Sequence, residues 1–466
     1  MDTNTICAIS TPPGQGGIAV IRVSGDAAIT IVNALFEQTG KDKGQSSLLL
    51  KEGYTLTHGN LMDEDKIIDE VMIALFRGPH SYTGEDTIEI SCHGSIYIQQ
   101  QILQLLIRSG CRIALPGEFT QRAFLNKKMD LSQAEAVADL IASNSAAAHN
   151  MAIKQMRGGF SNELNTLRAN LLRFVSLIEL ELDFSEEEVN FANRDQLYEL
   201  ASDIHTHISR LVGSFSVGNA LKNGIPVAIV GETNAGKSTL LNLLLNEERA
   251  LVSNIHGTTR DVIEDTIVIQ GVTYRFIDTA GIRKTNDIIE NMGIELTYKK
   301  IEQASIILWM IDCTQVSEHI EWMASKIVPS AKSKKLILVF NKIDNVNEEE
   351  IDVLDNLFSD VDAERIHISA KDKLNINLLE DMITRAAQLP QISGEDFIVN
   401  NARHYEALVQ ADKSIIRVQE GIKNHISGDF LSQDIRECMH YLGEITGEIN
   451  ADEILGNIFS HFCIGK

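Results

Sequence analysis

Proline is scarce in this chain, 7 in 466 residues, so neither a proline-rich linker nor a fibrous repeat is available to it. No run approaches the roughly 18 apolar residues of a membrane span. The most conspicuous one, IILWMI at Ile306 to Ile311, has strand length and ends in the polar DCTQ. The start, MDTNTICAIS, has no basic segment followed by a long apolar one, so no signal peptide is read and a cytoplasmic protein is expected. Six cysteines, at 7, 92, 111, 313, 438 and 463, lack both CxxC spacing and the density of a disulfide scaffold, and are expected to be buried thiols. Basic charge is short as well: 41 Lys and Arg against 65 Asp and Glu give a net charge of −24. Such a surface repels a phosphate backbone overall, and any RNA contact needs a local basic patch or a partner subunit. What remains, 44% hydrophobic and 23% charged, is the composition of a soluble globular chain. Its length suggests about three domains.

The texture of the sequence changes along its length. From Thr5 to about Leu115, β-rich runs (GIAVIRVSG, VMIALF, TIEIS) alternate with helical stretches such as YIQQQILQLLIRSG, which predicts a small α/β domain over 1–118. Residues 119–221 read as helical, with alanine-rich LSQAEAVADLIASNSAAAHNMAIKQM and the apolar spacing of LNTLRANLLRFVSLIELEL; Asp130 or Ser132 is positioned to cap the first helix. Strands and helices alternate again over 222–389, predicting a mostly parallel sheet, and 390–466 returns to helix. The predicted fold is α/β plus all-α: an N-terminal α/β domain, then a helical domain interrupted by an inserted, Ras-like nucleotide-binding domain.

PVAIVGETNAGKSTLLNLLL combines a buried-strand pattern, a loop fitting GxxxxGK[ST], and a helix. Gly231 and Gly236 let backbone amides point at phosphates, Lys237 reaches the outer phosphates, and the Ser238 hydroxyl suits magnesium. Asn234, Ala235 and Thr239 complete the expected contact set of this loop. RFIDTAG places Asp278 near the magnesium waters and Gly281 near the third phosphate, with Thr279 and Ala280 between them. In VFNKID, Asn341 and Lys342 precede Asp344, whose carboxylate accepts both N–H donors on the guanine edge; adenine offers an acceptor there and would leave the carboxylate unpaired. ISAK, with Ser369, Ala370 and Lys371, closes over the base. Four elements in this order predict GTP binding. RALVSNIHGTTRD supplies the switch threonines Thr258 and Thr259, one of which completes the magnesium shell.

One expected residue is missing. Many GTPases carry a glutamine after DTAG to hold the attacking water, whereas Ile282 stands there in this chain. Arg260 reads as a surface ion pair with Asp261 rather than an arginine finger, and Glu290 in IIENMG is the downstream carboxylate read as able to orient water.

IPVAIVGETNAGKSTLLN, LVSNIHGTTRD, DTAGIR with IENMGIE, NKID and SAK together resemble the MnmE (TrmE) family of tRNA-modification GTPases. The likeness spans the chain through TPPGQGGIAVIRVSG, HSYTGEDTIEISCHG, PGEFTQRAFLNKKMDLSQAEAVADLI and the terminal FCIGK. It implies that potassium replaces the arginine finger, held by Asn234, Ser253, Ile255 and Thr258, that Ser238 and Thr259 serve magnesium, and that Glu290 orients water when two GTPase domains meet in a homodimer. Ser253 then also borders the GTP. It further implies a flavin-dependent partner, MnmG, forming a heterotetramer that acts on the tRNA wobble uridine, with a 5-formyl- or methylene-tetrahydrofolate bound by Arg22, Glu85, Lys128 and Lys466. Lys127 adjoins Lys128, and Cys463 lies in the terminal C-x-G-K motif. Lipidation is rejected, since lysine is a poor last residue for a prenylation box. Cys92 and His93 lack a matching pair for zinc. The alternative reading is a ribosome-assembly GTPase, which would usually carry a basic RNA-binding module after its GTPase domain; this chain ends in an acidic amphipathic pattern, and GQGG at Gly14 to Gly17 lacks the basic neighbours of an RNA-gripping loop.

Overall fold

The computed structural model describes residues 4–39, 48–183, 194–247, 265–277, 301–315, 318–332, 334–387 and 397–448, with 455, 458, 459, 462 and 465. These fall into two units, one of residues 1–141, 153–204 and 413–466, the other of 142–152 and 205–412.

In the first unit, strands β1 (Ile6–Ile9), β2 (Ile18–Ser24), β3 (Phe36–Gln38), β4 (Thr55–Asp63), β5 (Lys66–Phe76), β6 (Thr87–His93) and β7 (Arg112–Ile113) form a sheet in the order β3-β4-β5-β6-β2-β1-β7. All neighbours are antiparallel except β1 and β7. Alternation decides which face is inside: Ile21, Val23, Val71, Ile73, Ile88 and Ile90 turn toward helices α1 (Ala28–Leu35) and α2 (Ile96–Arg108) and build one core with them. Arg22 and Glu89 point to the opposite face. There Ile6 and Ala8 pack against Phe119 of α3 (Glu118–Leu125) and against Tyr82.

Helix α4 (Leu131–Ala142) opens with a reciprocal cap: Asp130 Oδ1 accepts from Gln133 N at 2.9 Å while Gln133 Oε1 accepts from Asp130 N at 2.9 Å. Asp130 is therefore the capping residue, and Ser132 adds its hydroxyl to the same carboxylate. After α5 (Ala146–Met156), the long α6 (Gly159–Asp183) returns to pack with a later helix of this unit, and α7 (Arg194–Asn223) follows.

The second unit holds a six-stranded sheet. Its strands are β8 (Ile225–Gly231), β9 (Asp265–Ile269), β10 (Val272–Phe276), β11 (Ile306–Asp312), β12 (Lys335–Asn341) and β13 (Glu364–Ile368), ordered β13-β12-β11-β8-β10-β9. Pairing is parallel throughout except between β9 and β10. Every residue of β11 is buried, because helices cover both faces of a parallel sheet: Leu308 and Met310 join the core on one side, Ile307, Trp309 and Ile311 the core on the other. The described helices here are α8 (Lys237–Glu247), α9 (Glu318–Ser330), α10 (Glu348–Leu357) and α11 (Ile376–Ala386). At the far end of the β9–β10 hairpin, Gly271 O accepts from Ala147 N at 3.4 Å, Thr273 Oγ1 donates to Asn144 Oδ1 at 3.2 Å, and Gln270 Nε2 donates to Asp381 Oδ1 at 2.6 Å. The short segment between α4 and α5 is thus fastened to the hairpin.

Helices α12 (Ala402–Lys423) and α13 (Gly428–Thr446) follow, and α13 is the partner of α6. In the first unit Leu455, Phe459 and Phe462 pack on Leu131 and Ala134, and Ser10 Oγ donates to Gly465 O at 3.1 Å, which brings the end of the chain against β1. Cys7, Cys92, Cys111, Cys313 and Cys438 are buried thiols; Cys463 lies outside the described residues. No described helix is long and apolar enough to cross a membrane.

Candidate functional site

Strand β8 ends at Gly231 and α8 begins at Lys237, so the phosphate-loop motif sits between a buried strand and a helix N-terminus. The loop uses conformations that the sequence requires of it: Gly231 has φ 144°, Asn234 67° and Gly236 99°. Lys237 Nζ donates to the carbonyls of Gly231 and Glu232, at 2.7 and 2.5 Å, holding its ammonium within the loop. Ala235 is buried, Ser238 is partly buried, and Thr239 is exposed.

Asn341, at the end of β12 and 3% exposed, ties the site together. Its Nδ2 donates to Ala235 O at 2.8 Å and its Oδ1 accepts from Ala370 N at 3.0 Å, so one side chain joins the phosphate loop to the loop after β13. Lys342 follows in the left-handed region, φ 69°, and its ammonium pairs with Asp312 Oδ2 at 2.5 Å. Burial opposes ionisation of Asp312, but hydrogen bonds from Lys342 and Thr314 outweigh it and hold the carboxyl below its ordinary range. Asp344 lies in a single turn of 3₁₀ helix, exposed, with its carboxyl kept low by hydrogen bonding to Ser369 and by the charge of Lys371. An ionised, solvent-facing carboxylate is what guanine recognition requires. Ser369 and Ala370 are buried beneath it. Asp312 was not foreseen from sequence; the signal is the polar DCTQ that ends an otherwise apolar strand.

Of the other nucleotide-site expectations, Ser253, Ile255, Thr258, Thr259, Asp278, Thr279, Ala280, Gly281 and Glu290 lie outside the described residues.

The face of the first sheet that carries Arg22 gathers most of the second set. Arg22 pairs with Glu89 across the β2–β6 ladder at 2.7 Å and stacks on two rings, its guanidinium carbon 5.2 Å from the centre of Tyr82 and 5.5 Å from that of Phe119. Glu85 accepts from Ser24 Oγ at 2.9 Å and from Arg122 Nη1 at 2.9 and 3.1 Å. Lys128 Nζ donates to Pro79 O at 2.8 Å and remains exposed, while Lys127 has φ 56°. Lys466 is outside the described residues, although its neighbour Gly465 lies on Ile9 and Ser10. Three sequence expectations, Arg22, Glu85 and Lys128, therefore converge on the β2 strand and the loop before β6. Arg122, Glu89 and Tyr82 were missed, because their partners are far away in sequence. Arg22 and Glu85 also stand at the same corner, since Ser24 binds Glu85 and lies two residues from Arg22. They fit one end of an elongated ligand, not its two opposite ends. Among the described residues no group of three or more His, Cys, Asp or Glu side chains is arranged to hold a metal.

The family model for the MnmE helical domain matches residues 131–463, and that for the GTP-binding protein TrmE N-terminus matches residues 5–128. The chain is 59% identical to the tRNA modification GTPase MnmE of Bacteroides thetaiotaomicron over 469 residues, covering 100% of both chains. It is 50% identical to that of Flavobacterium johnsoniae, again over 100% of both. Among solved structures, Era from Aquifex aeolicus is 28% identical, overlapping 41% of this chain and 66% of that one with a TM-score of 0.28. Family models over nearly the whole length and relatives alike from end to end leave one conclusion: the chain belongs to the MnmE family of tRNA modification GTPases.

Proposed function

We propose that this chain is a potassium-activated GTPase that, with a flavin-dependent MnmG partner, forms the 5-carboxymethylaminomethyl or aminomethyl group on the wobble uridine of certain tRNAs. The observation that carries the nucleotide part is the bridge made by Asn341 between Ala235 and Ala370, which holds the phosphate loop and the base-closing loop in one register. In this reading GTP lies along residues Asn234 to Thr239, with Asp344 and Ser369 to Lys371 around the base. Ser238 and Thr259 serve magnesium, and Asp278 to Gly281 read the third phosphate. The four-part division at 118, 221 and 389, a homodimer, and a heterotetramer with MnmG belong to the same proposal.

The potassium assignment is supported by Asn234, the one proposed ligand among the described residues. It is exposed at the loop crest with φ 67°, a conformation that asparagine tolerates better than most residues. A monovalent cation there adds positive charge next to the phosphates, the role that an arginine plays in other GTPases. GTP hydrolysis is therefore expected to run at least about tenfold faster in potassium chloride than in sodium chloride of equal ionic strength, and Asn234→Ala should erase the difference. Equal rates in both salts would sink the potassium reading and favour a switch that awaits a protein activator. Glu290→Ala is expected to lower turnover about 10²-fold or more with nucleotide affinity retained; near-normal turnover would remove Glu290 from its role.

A folate fits the N-terminal site on its donor set. Glu85 keeps an acceptor direction beyond its bonds to Arg122 and Ser24, Tyr82 and Phe119 offer ring faces, and the Lys128 ammonium is exposed for a carboxylate. When bound, the folate supplies the one-carbon unit. Arg22, already neutralised by Glu89, fixes the aromatic wall more than it offers free charge. Lys466 completes the set.

A further inference from the structure

A chain of net charge −24 that acts on tRNA needs a place where its repulsion of phosphate is locally reversed. Most arginines of the first unit cannot supply one, because Arg22, Arg108, Arg112, Arg122 and Arg168 are each paired with a carboxylate. Four cations differ. Arg77 directs its N–H groups to the carbonyls of Lys51 and Leu49, and Lys128 directs its ammonium to that of Pro79, so both keep their charge. Lys127 and Arg157 are exposed and meet no carboxylate among the described residues.

Three loops bring the four together. Lys128 Nζ donates to Pro79 O at 2.8 Å and Asn126 Nδ2 to Thr83 O at 2.8 Å, which ties the loop after β5 to the end of α3. Gln133, in the first turn of α4, extends the contact to the turn between α5 and α6: its Nε2 donates to Met156 O at 3.1 Å, next to Arg157, while Gln155 Nε2 donates to Ser132 O at 2.9 Å. The carboxylates of the same loops are committed to the protein. Glu85 holds Arg122, Asp86 Oδ1 accepts from Gly78 N at 2.9 Å, and Asp130 caps α4. The positive charges are therefore left for something outside the chain.

Lys127 also occupies an unusual backbone position. Helix α3 closes with Lys127 N on Phe124 O and Lys128 N on Ala123 O, both at 2.9 Å, the bond pair of a helix end whose next residue is left-handed. Glycine is the ordinary occupant of that position, and Lys127 holds it at φ 56°. A lysine there raises the side chain off the helix end at the cost of a less favourable backbone.

We propose that Lys127, Arg157 and Arg77, with Lys128 at the border of the folate site, form a contact for the phosphate backbone of tRNA, which rests on the tRNA-modification reading given above. The contact is one of charge and position, without base recognition. A strand held there lies beside the loop that carries Glu85.

The test measures wobble modification by the full-length protein with its flavin-dependent partner, varying unmodified tRNA at about 50 and about 200 mM salt. Lys127→Gly and Arg157→Gln are each expected to raise KM for tRNA about fivefold with kcat within about twofold, and each to flatten the dependence of log kcat/KM on log salt by about 1. Lys127→Gly should melt at or above the wild-type temperature, since glycine suits the position, so a lost contact is not lost folding. Lys66→Gln, at the exposed start of β5, should change neither KM nor the salt dependence. A double variant with tRNA KM and salt dependence like wild type overturns the proposal. An equal loss in Lys66→Gln also overturns it, by making the effect one of total charge. So does a fall in 5-formyltetrahydrofolate affinity as large as the fall in kcat/KM, which would place Lys127 in the folate site, and so does weaker association with the flavin-dependent partner at unchanged tRNA KM. Failure of the tRNA reading shows separately, as wild-type protein and partner that leave the wobble uridine unmodified.

Discussion

Gly236→Ala is expected to cost guanine-nucleotide affinity about 10²- to 10³-fold. At φ 99° the backbone is outside the range of ordinary residues, and an added Cβ would collide with Asn341 Nδ2. The backbone strain alone is worth roughly 1–3 kcal/mol. Asn341 cannot give way without releasing Ala235 O and Ala370 N, each of which then lies buried without a partner at about 1–3 kcal/mol. The unliganded variant relaxes out of this geometry and nucleotide binding must restore it, so at about 1.4 kcal/mol per factor of ten in affinity even the lower ends of these ranges reach two decades. Calorimetric titration with GDP measures it, and Gly213→Ala is the control: it lies in α7 with nothing within 4 Å of an added Cβ and should change neither binding nor folding adversely. A Gly236→Ala protein that binds GDP within threefold of wild type would show that the loop does not need this geometry.

Arg122→Met should destabilise the first unit by about 3–5 kcal/mol. The guanidinium is 10% exposed and meets both oxygens of Glu85, Glu118 Oε1 at 3.0 Å and Asn4 O at 2.8 Å. Methionine keeps the apolar stem and removes every one of these bonds. Glu118 retains Arg112 and the amide of Leu115, but the Glu85 carboxylate retains only Ser24 Oγ, and so carries an uncompensated charge in a half-buried position. Thermal unfolding should begin roughly 10 °C lower, and adding Glu85→Gln to Arg122→Met should recover part of the loss. A shift below about 2 °C would mean that water replaces Arg122 at little cost. Acid should act in the same direction. Burial raises the Glu118 carboxyl, but Arg112, the Leu115 amide and Arg122 lower it further. With a depressed folded value, its contribution is full above the ordinary glutamate range and fades as pH falls below it toward the folded value.

What could be read from sequence was what is local in sequence. The phosphate loop needs only consecutive residues between a strand and a helix, and the apolar run at Ile306 to Ile311 is long enough to be a buried strand without knowing its neighbours. Asp130 and Ser132 were equal candidates for the cap because a cap is decided by geometry within one turn, and the reciprocal bond with Gln133 separates them. The N-terminal site was legible only in part, since its pairs join distant positions: Arg22 with Glu89, Glu85 with Arg122, Ser10 with Gly465. Charge pairing of this kind follows strand order and register, which periodicity does not specify. The resemblance names Arg22 as a folate-binding residue, and Glu89, set directly opposite it by the β2–β6 register, already pairs with its charge.

The hairpin of β9 and β10 has a mechanical meaning. Its outer ends lead, on one side, back to the stretch with Thr258 and Thr259 and, on the other, on to Asp278 to Gly281, while five residue pairs from Asp265 with Phe276 to Ile269 with Val272 lock the strands in between. Such a ladder slides or tilts as one piece, because moving one strand alone breaks its hydrogen bonds to the other. The hairpin is therefore a single rod. The tip of that rod is hooked on Asn144 and Ala147 at the joint between two helices. A displacement at the open end of that rod becomes a push or a pull on Asn144 and Ala147.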